Sequence, residues 1–352
     1  MGCVDTPNAH CAYLEPKYLP DVCDVPASDA RLSVAADTTI DPTEDVMCNG
    51  GVVPQTSGAS LPDICVIHYG SIDVDATLRF TPVSGAGTVG RVVALVADND
   101  LTIVGTLNVS ALGLSSGPGG GYVQSGGTGT VQSGDGGGGA GYHTNGGAGG
   151  TATSDGGAGN GGTASLDPSA LIPLYGGAKN SGGGGGAATL ISCHGSVTVM
   201  GWLAANGGGG YGGIQLGGVF SPGGGGGAGG YVVLQGLNVD VKGQVYANGG
   251  GGGGGTYTGA TARFDGRDGG YSDSIAATGG QPGNGAGAGG AGGVGLALPG
   301  DGTHPTGSGA TPGGGGGSVG FFQSYTPAGV TPTLSPSHAS PNFQPNGTVN
   351  TR

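Results

Sequence analysis

Four stretches of this chain share one alternation of apolar and polar positions. They align on a small residue, Ala76, Gly105, Gly201 or Gly243. Four positions before it stand Ile72, Leu101, Val197 and Val239, and two before it stand Val74, Ile103, Val199 and Val241. Two after it stand Leu78, Leu107, Leu203 and Val245, and four after it stand Phe80, Val109, Ala205 and Ala247. An apolar period of two predicts β-strand with one buried face. The positions between are mostly polar, as in the column Asp73, Thr102, Thr198 and Asp240 or the column Thr77, Thr106, Trp202 and Gln244, which suits a solvent face. Each unit is preceded by an apolar run: Val66-Ile67, Val92–Val96, Leu190-Ile191 or Val232–Leu234.

A repeat of strand, turn, strand, small residue and strand occupies roughly 20 residues, the size of one coil of a solenoid. The expected fold is therefore all-β: a right-handed parallel β-helix-like solenoid whose columns stack coil on coil, with the small residue at a corner. The anchors lie further apart than one coil, so the excess must leave the helix as insertions at about 113–186, 206–229 and 248–317. A weaker first rung is expected at Leu32, Val34 and Ile40, and a last one from Ser318-Val319-Gly320-Phe321-Phe322. The cysteine-rich residues 1–65 are set apart as an N-terminal cap, with 66–352 as the repeat domain.

Composition changes the picture of the insertions. Of 352 residues 91 are glycine, with seven in a row at Gly249–Gly255 and five at Gly182–Gly186, Gly223–Gly227 and Gly313–Gly317. Glycine loses the most backbone freedom on folding and buries no side chain. Collagen is excluded, because the spacing is irregular and there are only 21 prolines. Charged residues make up 9%, too few for ordinary charge-driven disorder. Consecutive glycines allow extended strands to approach backbone to backbone, so the insertions are expected to pack as polyglycine-II-like strands. No helix of substance is expected, beyond one turn at 167–175 with Asp167 as N-cap.

Net charge is −13 and no basic run occurs, which argues against a nucleic-acid partner. No apolar stretch is long enough for a transmembrane helix. Six cysteines, Cys3, Cys11, Cys23, Cys48, Cys65 and Cys193, suit disulfides and an oxidising compartment, with the pairing left open. Gly2-Cys3 matches the end of a bacterial lipoprotein cleavage site, although an ordinary mature N-terminus is the preferred reading. No CxxC pair or histidine at ligand spacing is present, and neither a metal nor another cofactor is expected.

The outward columns do not gather carboxylates as a polysaccharide-cleaving site would. Asp98 and Asp100 read as a turn, and Asn206 and Asn248 as a structural ladder. The densest polar cluster lies in the third insertion, where Tyr257, Arg263, Asp265, Arg267, Asp268 and Tyr271 are candidates for ligand contact. A local ion-paired turn is the competing reading of the same residues.

The glycine blocks broken by Ala, Asn, Ser and Asp over about 113–317 resemble the PE-PGRS class of surface proteins, without that class's N-terminal helical module. They also resemble the glycine-strand tip adhesins of some phage long tail fibres and glycine-rich secreted proteins of bacteria. The resemblance implies a secreted or cell-surface location and a structural or adhesive role, and it carries over no functional residue. The expected function is an extracellular, non-enzymatic structural or adhesive protein, with rung edges offering a route to self-assembly into a filament. The alternatives are a carbohydrate-active β-helix enzyme and a receptor-binding module for a surface polysaccharide.

Overall fold

The computed structural model describes residues 13–55, 61–81, 90–122, 134–152, 159–164, 173–216 and 218–352. All sixteen aligned apolar residues are buried, and all belong to one interior cluster. Their side chains meet because the chain returns in register. Ile72 pairs with Leu101, Leu101 with Val197, and Val197 with Val239. Leu78, Leu107, Leu203 and Val245 pair likewise.

Three parallel sheets surround this interior. Successive rungs pass through the first sheet (such as Ile64–Tyr69 and Val92–Ala97), then the second (Ile72–Val74, Leu101–Ile103) and then the third (Thr77–Phe80, Thr106–Asn108). The small anchors sit at the bend between the second and third sheets. A Cβ on Gly201 would lie 1.9 Å from the Gly105 carbonyl oxygen, and one on Gly243 would lie 1.9 Å from that of Gly201. The anchors are small because each stacks directly on the backbone of the rung before it.

The weak outer rungs are both present. Leu32–Val34 and Thr38–Ile40 pair with Ile72–Val74 and Thr77–Phe80. At the other end, Phe321–Pro327 pairs with Tyr231–Gln235. The division at residue 65 is corrected accordingly, because it falls inside Ile64–Tyr69 and an earlier rung is stacked in register with the rest. The segment before that rung does not cap the stack. It runs along the outer face of the first sheet, from Leu14 paired with Thr351 to the Asp29 and Ala30 carbonyls that accept from Gly70 and Ser71. Its Leu14, Leu19 and Cys23 join Val66, Ala94, Ile191 and Val233 in a second buried cluster. The first sheet is thus buried on both faces.

Disulfides join Cys23 to Cys193 and Cys48 to Cys65. Cys3 and Cys11 lie outside the described residues, as does Asp167 with most of its expected turn. Among the described residues the only helical segments are short 3-10 turns, Val22–Asp24 and Asp45–Met47. No described helix is long and apolar enough to cross a membrane.

The three long insertions all leave after the third sheet and return into the first, within a few residues of the expected bounds. Their glycine segments run side by side, and the bonding has a period of three. In segment 223–230, the N–H groups of Gly223, Gly226 and Gly229 donate to Pro312, Gly315 and Ser318. Those of Gly224, Gly227 and Gly230 donate to Tyr211, Gly208 and Ala205, and that of Ala228 donates to Ala178. Its carbonyls accept from three further segments, through Gly137 and Ala140, Gly253 and Gly250, and Gly182 and Gly185. One strand therefore has six neighbours. An extended helix with three residues per turn presents successive N–H groups roughly 120° apart, which produces this pattern.

Six backbone neighbours leave no room for side chains. A Cβ on Gly316 would stand 1.8 Å from the Ala291 carbonyl oxygen, and one on Gly252 would stand 2.1 Å from that of Gly314. Where a segment lies at the edge, side chains return at every third position. Ala288 and Ala291 are accessible on either side of the buried Gly290. Where the layer meets the first sheet, Ala140, Ala178 and Ala228 pack with Tyr142, Leu174 and Phe321.

Candidate ligand-contact faces

The edge of the glycine layer explains two of the expected ligand residues. In segment 205–213, Gly207, Gly210 and Gly213 donate to Asn248, Gly251 and Gly254. The next set is met by the Tyr246 and Gly183 carbonyls and by Ser181 Oγ. In the third direction no strand follows, and side chains supply the acceptors. Asn206 N–H donates to Ser110 Oγ at 2.9 Å, Gly209 N–H to Asp268 Oδ1 at 2.8 Å and Gly212 N–H to Asp265 Oδ1 at 2.7 Å. Asp268 Oδ1 also accepts from Gly113 N–H at 3.0 Å. Asp265 and Asp268 stand three residues apart, as do the N–H groups they meet. Leaving a buried N–H unmet costs about 1–3 kcal/mol, so these carboxylates hold the edge of the layer together.

They also border a groove of about 600 Å³ lined by Leu112, Leu114, Tyr211 and Arg267. The Arg263 guanidinium lies over the Tyr211 ring, 4.5 Å from its centre. Tyr257 packs with Phe264, ring centres 6.1 Å apart. The structure thus gathers Arg263, Asp265, Arg267 and Asp268 around Tyr211, with Tyr257 beside Phe264.

Tyr271 lies elsewhere. Its segment folds back onto the outer face of the third sheet, where Asn108 Nδ2 donates to the Tyr271 hydroxyl at 3.0 Å. The Tyr271 ring sits 5.3 Å from Trp202 and 5.9 Å from Tyr246. Two registered columns build this patch: Thr77, Thr106, Trp202 and Gln244, and Arg79, Asn108, Ala204 and Tyr246. Burial raises the Tyr271 pKa, and the nearby Arg79 guanidinium pulls it back down. Among the described residues Arg79 has no carboxylate partner. At the margin of the patch, His338 Nδ1 lies 2.8 Å from Asp273 Oδ2, which holds the Asp273 carboxyl below its ordinary range. Trp202 and Tyr271 remain 37% and 44% exposed. The column that carries Trp202 is legible in the sequence, but the insertion segment that brings Tyr271 onto it is not.

Four other carboxylates serve the fold. Asp73 pairs with Arg31 at 2.8 Å and Asp240 with Lys242 at 2.6 Å. Asp98 lies between His68 Nε2 at 2.8 Å and the Ala27 N–H at 2.9 Å, and Asp100 accepts from Ser196 N–H. Asn206 and Asn248 form a ladder, with Asn248 N–H donating to Asn206 Oδ1 at 2.8 Å and Ser340 Oγ donating to Asn248 Oδ1. Arranged in this way, the exposed groups can stack on a ligand and hydrogen-bond to it. No family model, curated protein or solved structure matches this chain.

Proposed function

We propose that this protein is an extracellular, non-enzymatic adhesive protein that contacts a surface polysaccharide through the outer face of its third sheet. The observation that carries this reading is the Trp202–Tyr271 pair, half-open to solvent beside Arg79, which has no carboxylate partner among the described residues. Aromatic faces stack on the apolar C–H faces of sugar rings, and a guanidinium forks onto ring hydroxyls or carboxylates. Trp202 and Arg79 stand on strands of the sheet and Asn108 holds the Tyr271 hydroxyl against it, so these groups are in place before a ligand arrives. The two disulfides support an oxidising, extracellular setting.

In this reading the scaffold is a right-handed parallel β-helix. The parallel sheets support it, since crossovers between parallel strands are right-handed in nearly all proteins. The insertions are polyglycine-II-like strands, supported by their threefold bonding. Filament growth by rung stacking has less support, because the first sheet ends in short antiparallel strands, Gly51–Val53 and Leu14–Glu15, which blunt its edges.

A glycan array probed with the full chain tests the adhesive reading. Binding to at least one polysaccharide is expected, falling about tenfold or more in Trp202→Ala and in Arg79→Ala while Arg263→Ala binds as the parent does. Unchanged binding in Trp202→Ala, or no glycan bound at all, would overturn it.

A further inference from the structure

A second recess lies beneath the N-terminal segment. A cavity of about 520 Å³ opens between this segment and the first sheet near Gly51–Val53. Leu19, Val22, Val25, Pro26, Val53 and Val66 supply apolar wall, and Tyr18 closes one side. His68 also lines it and is 6% exposed. On the same face of the sheet, the residues in register with His68 are Val96 and, one rung on, Ile191. The fold accepts aliphatic side chains in this column, so packing alone does not call for an imidazole.

The imidazole is oriented. Its Nε2 lies 2.8 Å from Asp98 Oδ1, and the other Asp98 oxygen accepts from Ala27 N–H at 2.9 Å. A carboxylate at Nε2 places the proton there in the neutral ring, which leaves Nδ1 an acceptor. Nδ1 makes no hydrogen bond to the described residues. Asp21, Ser28 and Asn49 also reach its lining, and a mostly apolar recess of this volume with an oriented imidazole has the makeup of a small-molecule site.

We propose that this cavity binds a small, uncharged, largely apolar molecule carrying one hydroxyl, which donates to His68 Nδ1. The site is independent of the glycan-contact face. The test uses 2-naphthol as probe, with 2-methylnaphthalene as the partner lacking the hydroxyl, on the full chain labelled with 15N-histidine. Saturable one-to-one binding of 2-naphthol is expected, with a shift of the His68 Nδ1 resonance and affinity about three- to tenfold above that of 2-methylnaphthalene. Val25→Trp, at an exposed position of the rim, should abolish binding while leaving the melting temperature unchanged. No saturable binding, equal affinity for the two probes, an unshifted His68 or full binding in folded Val25→Trp would each overturn the proposal.

Discussion

Leu203 and Gly316 are both buried, and they show how differently the two halves of this molecule are held. Leu203 lies between Leu107 and Val245 of adjacent rungs, and its side chain fills the interior. Gly316 lies between segments 147–150, 287–293 and 300–303, its N–H donating to Gly300 and its carbonyl accepting from Gly147. A sheet strand bonds in one plane and leaves two faces for side chains. A glycine strand bonds in three directions and leaves none. In the sheets stability is lost when atoms are taken away, and in the layer it is lost when atoms are added.

The largest effect should appear at the seam between the halves. Tyr142 is wholly buried there, with its hydroxyl donating to the Tyr175 carbonyl at 2.5 Å. Tyr18 of the N-terminal segment packs on the same cluster and meets Tyr231, the two hydroxyls 3.0 Å apart. Burial raises the pKa of all three well above the ordinary 10.0. The folded state therefore holds these protons after the unfolded chain has lost them. Their contribution is complete below pH about 10 and falls as pH rises further, by about 1.4 kcal/mol per pH unit for each tyrosine, or about 4 for the three. Urea unfolding at pH 9 and pH 11 measures this, and equal stability at both would break the account of the seam.

Paired substitutions come next. Gly316→Val should cost about 4 kcal/mol, because the added Cβ meets the Ala291 carbonyl oxygen, a backbone atom with nowhere to move. Leu203→Ala should cost about 3 kcal/mol by opening a cavity. Hydrogen exchange separates the two: Gly316→Val should expose the glycine segments first, and Leu203→Ala the rungs. Loss of protection in the same amides for both variants would show that the halves fold as one unit.

The smallest effect is expected at Ala291, whose side chain faces solvent between the buried Gly290 and Gly292. Ala291→Ser should change stability by less than about 0.5 kcal/mol. A loss comparable to that of Gly316→Val would break the threefold account of which positions tolerate a side chain.

The sheets were legible in the sequence because a period of two is a local signal. Sixteen residues named their own face, and the corner anchors named themselves by size. The insertions were legible in position, and their longest glycine runs, such as Gly249–Gly255 and Gly223–Gly227, mark strands with neighbours all round. The second buried cluster was not legible. Leu14, Leu19 and Tyr18 have no period, and the Thr351 that pairs with Leu14, the Tyr231 that meets Tyr18 and the Val233 that shares a cluster with Leu19 are set by where the chain returns hundreds of residues later. The candidate site was half legible for the same reason. Asp265 and Asp268 are conspicuous as charges in an uncharged region, but their role depends on a strand missing from one side of 205–213. Tyr271 could be matched with Trp202 only once its segment was seen to fold back.

The antiparallel pairing of Leu14 with Thr351 has a consequence for the order of events as the chain is made. The first described strand has no partner until the last has emerged, and Cys23 must wait for Cys193. Until then only the end of that segment near Asp29 and Ala30 is tied down, and the outer face of the first sheet, with Val66, Ala94 and Ile191, lacks part of its cover while the later rungs are made. Vectorial assembly from the N-terminus, the natural expectation for a stack of rungs, thus ends here with a step that runs backwards along the chain.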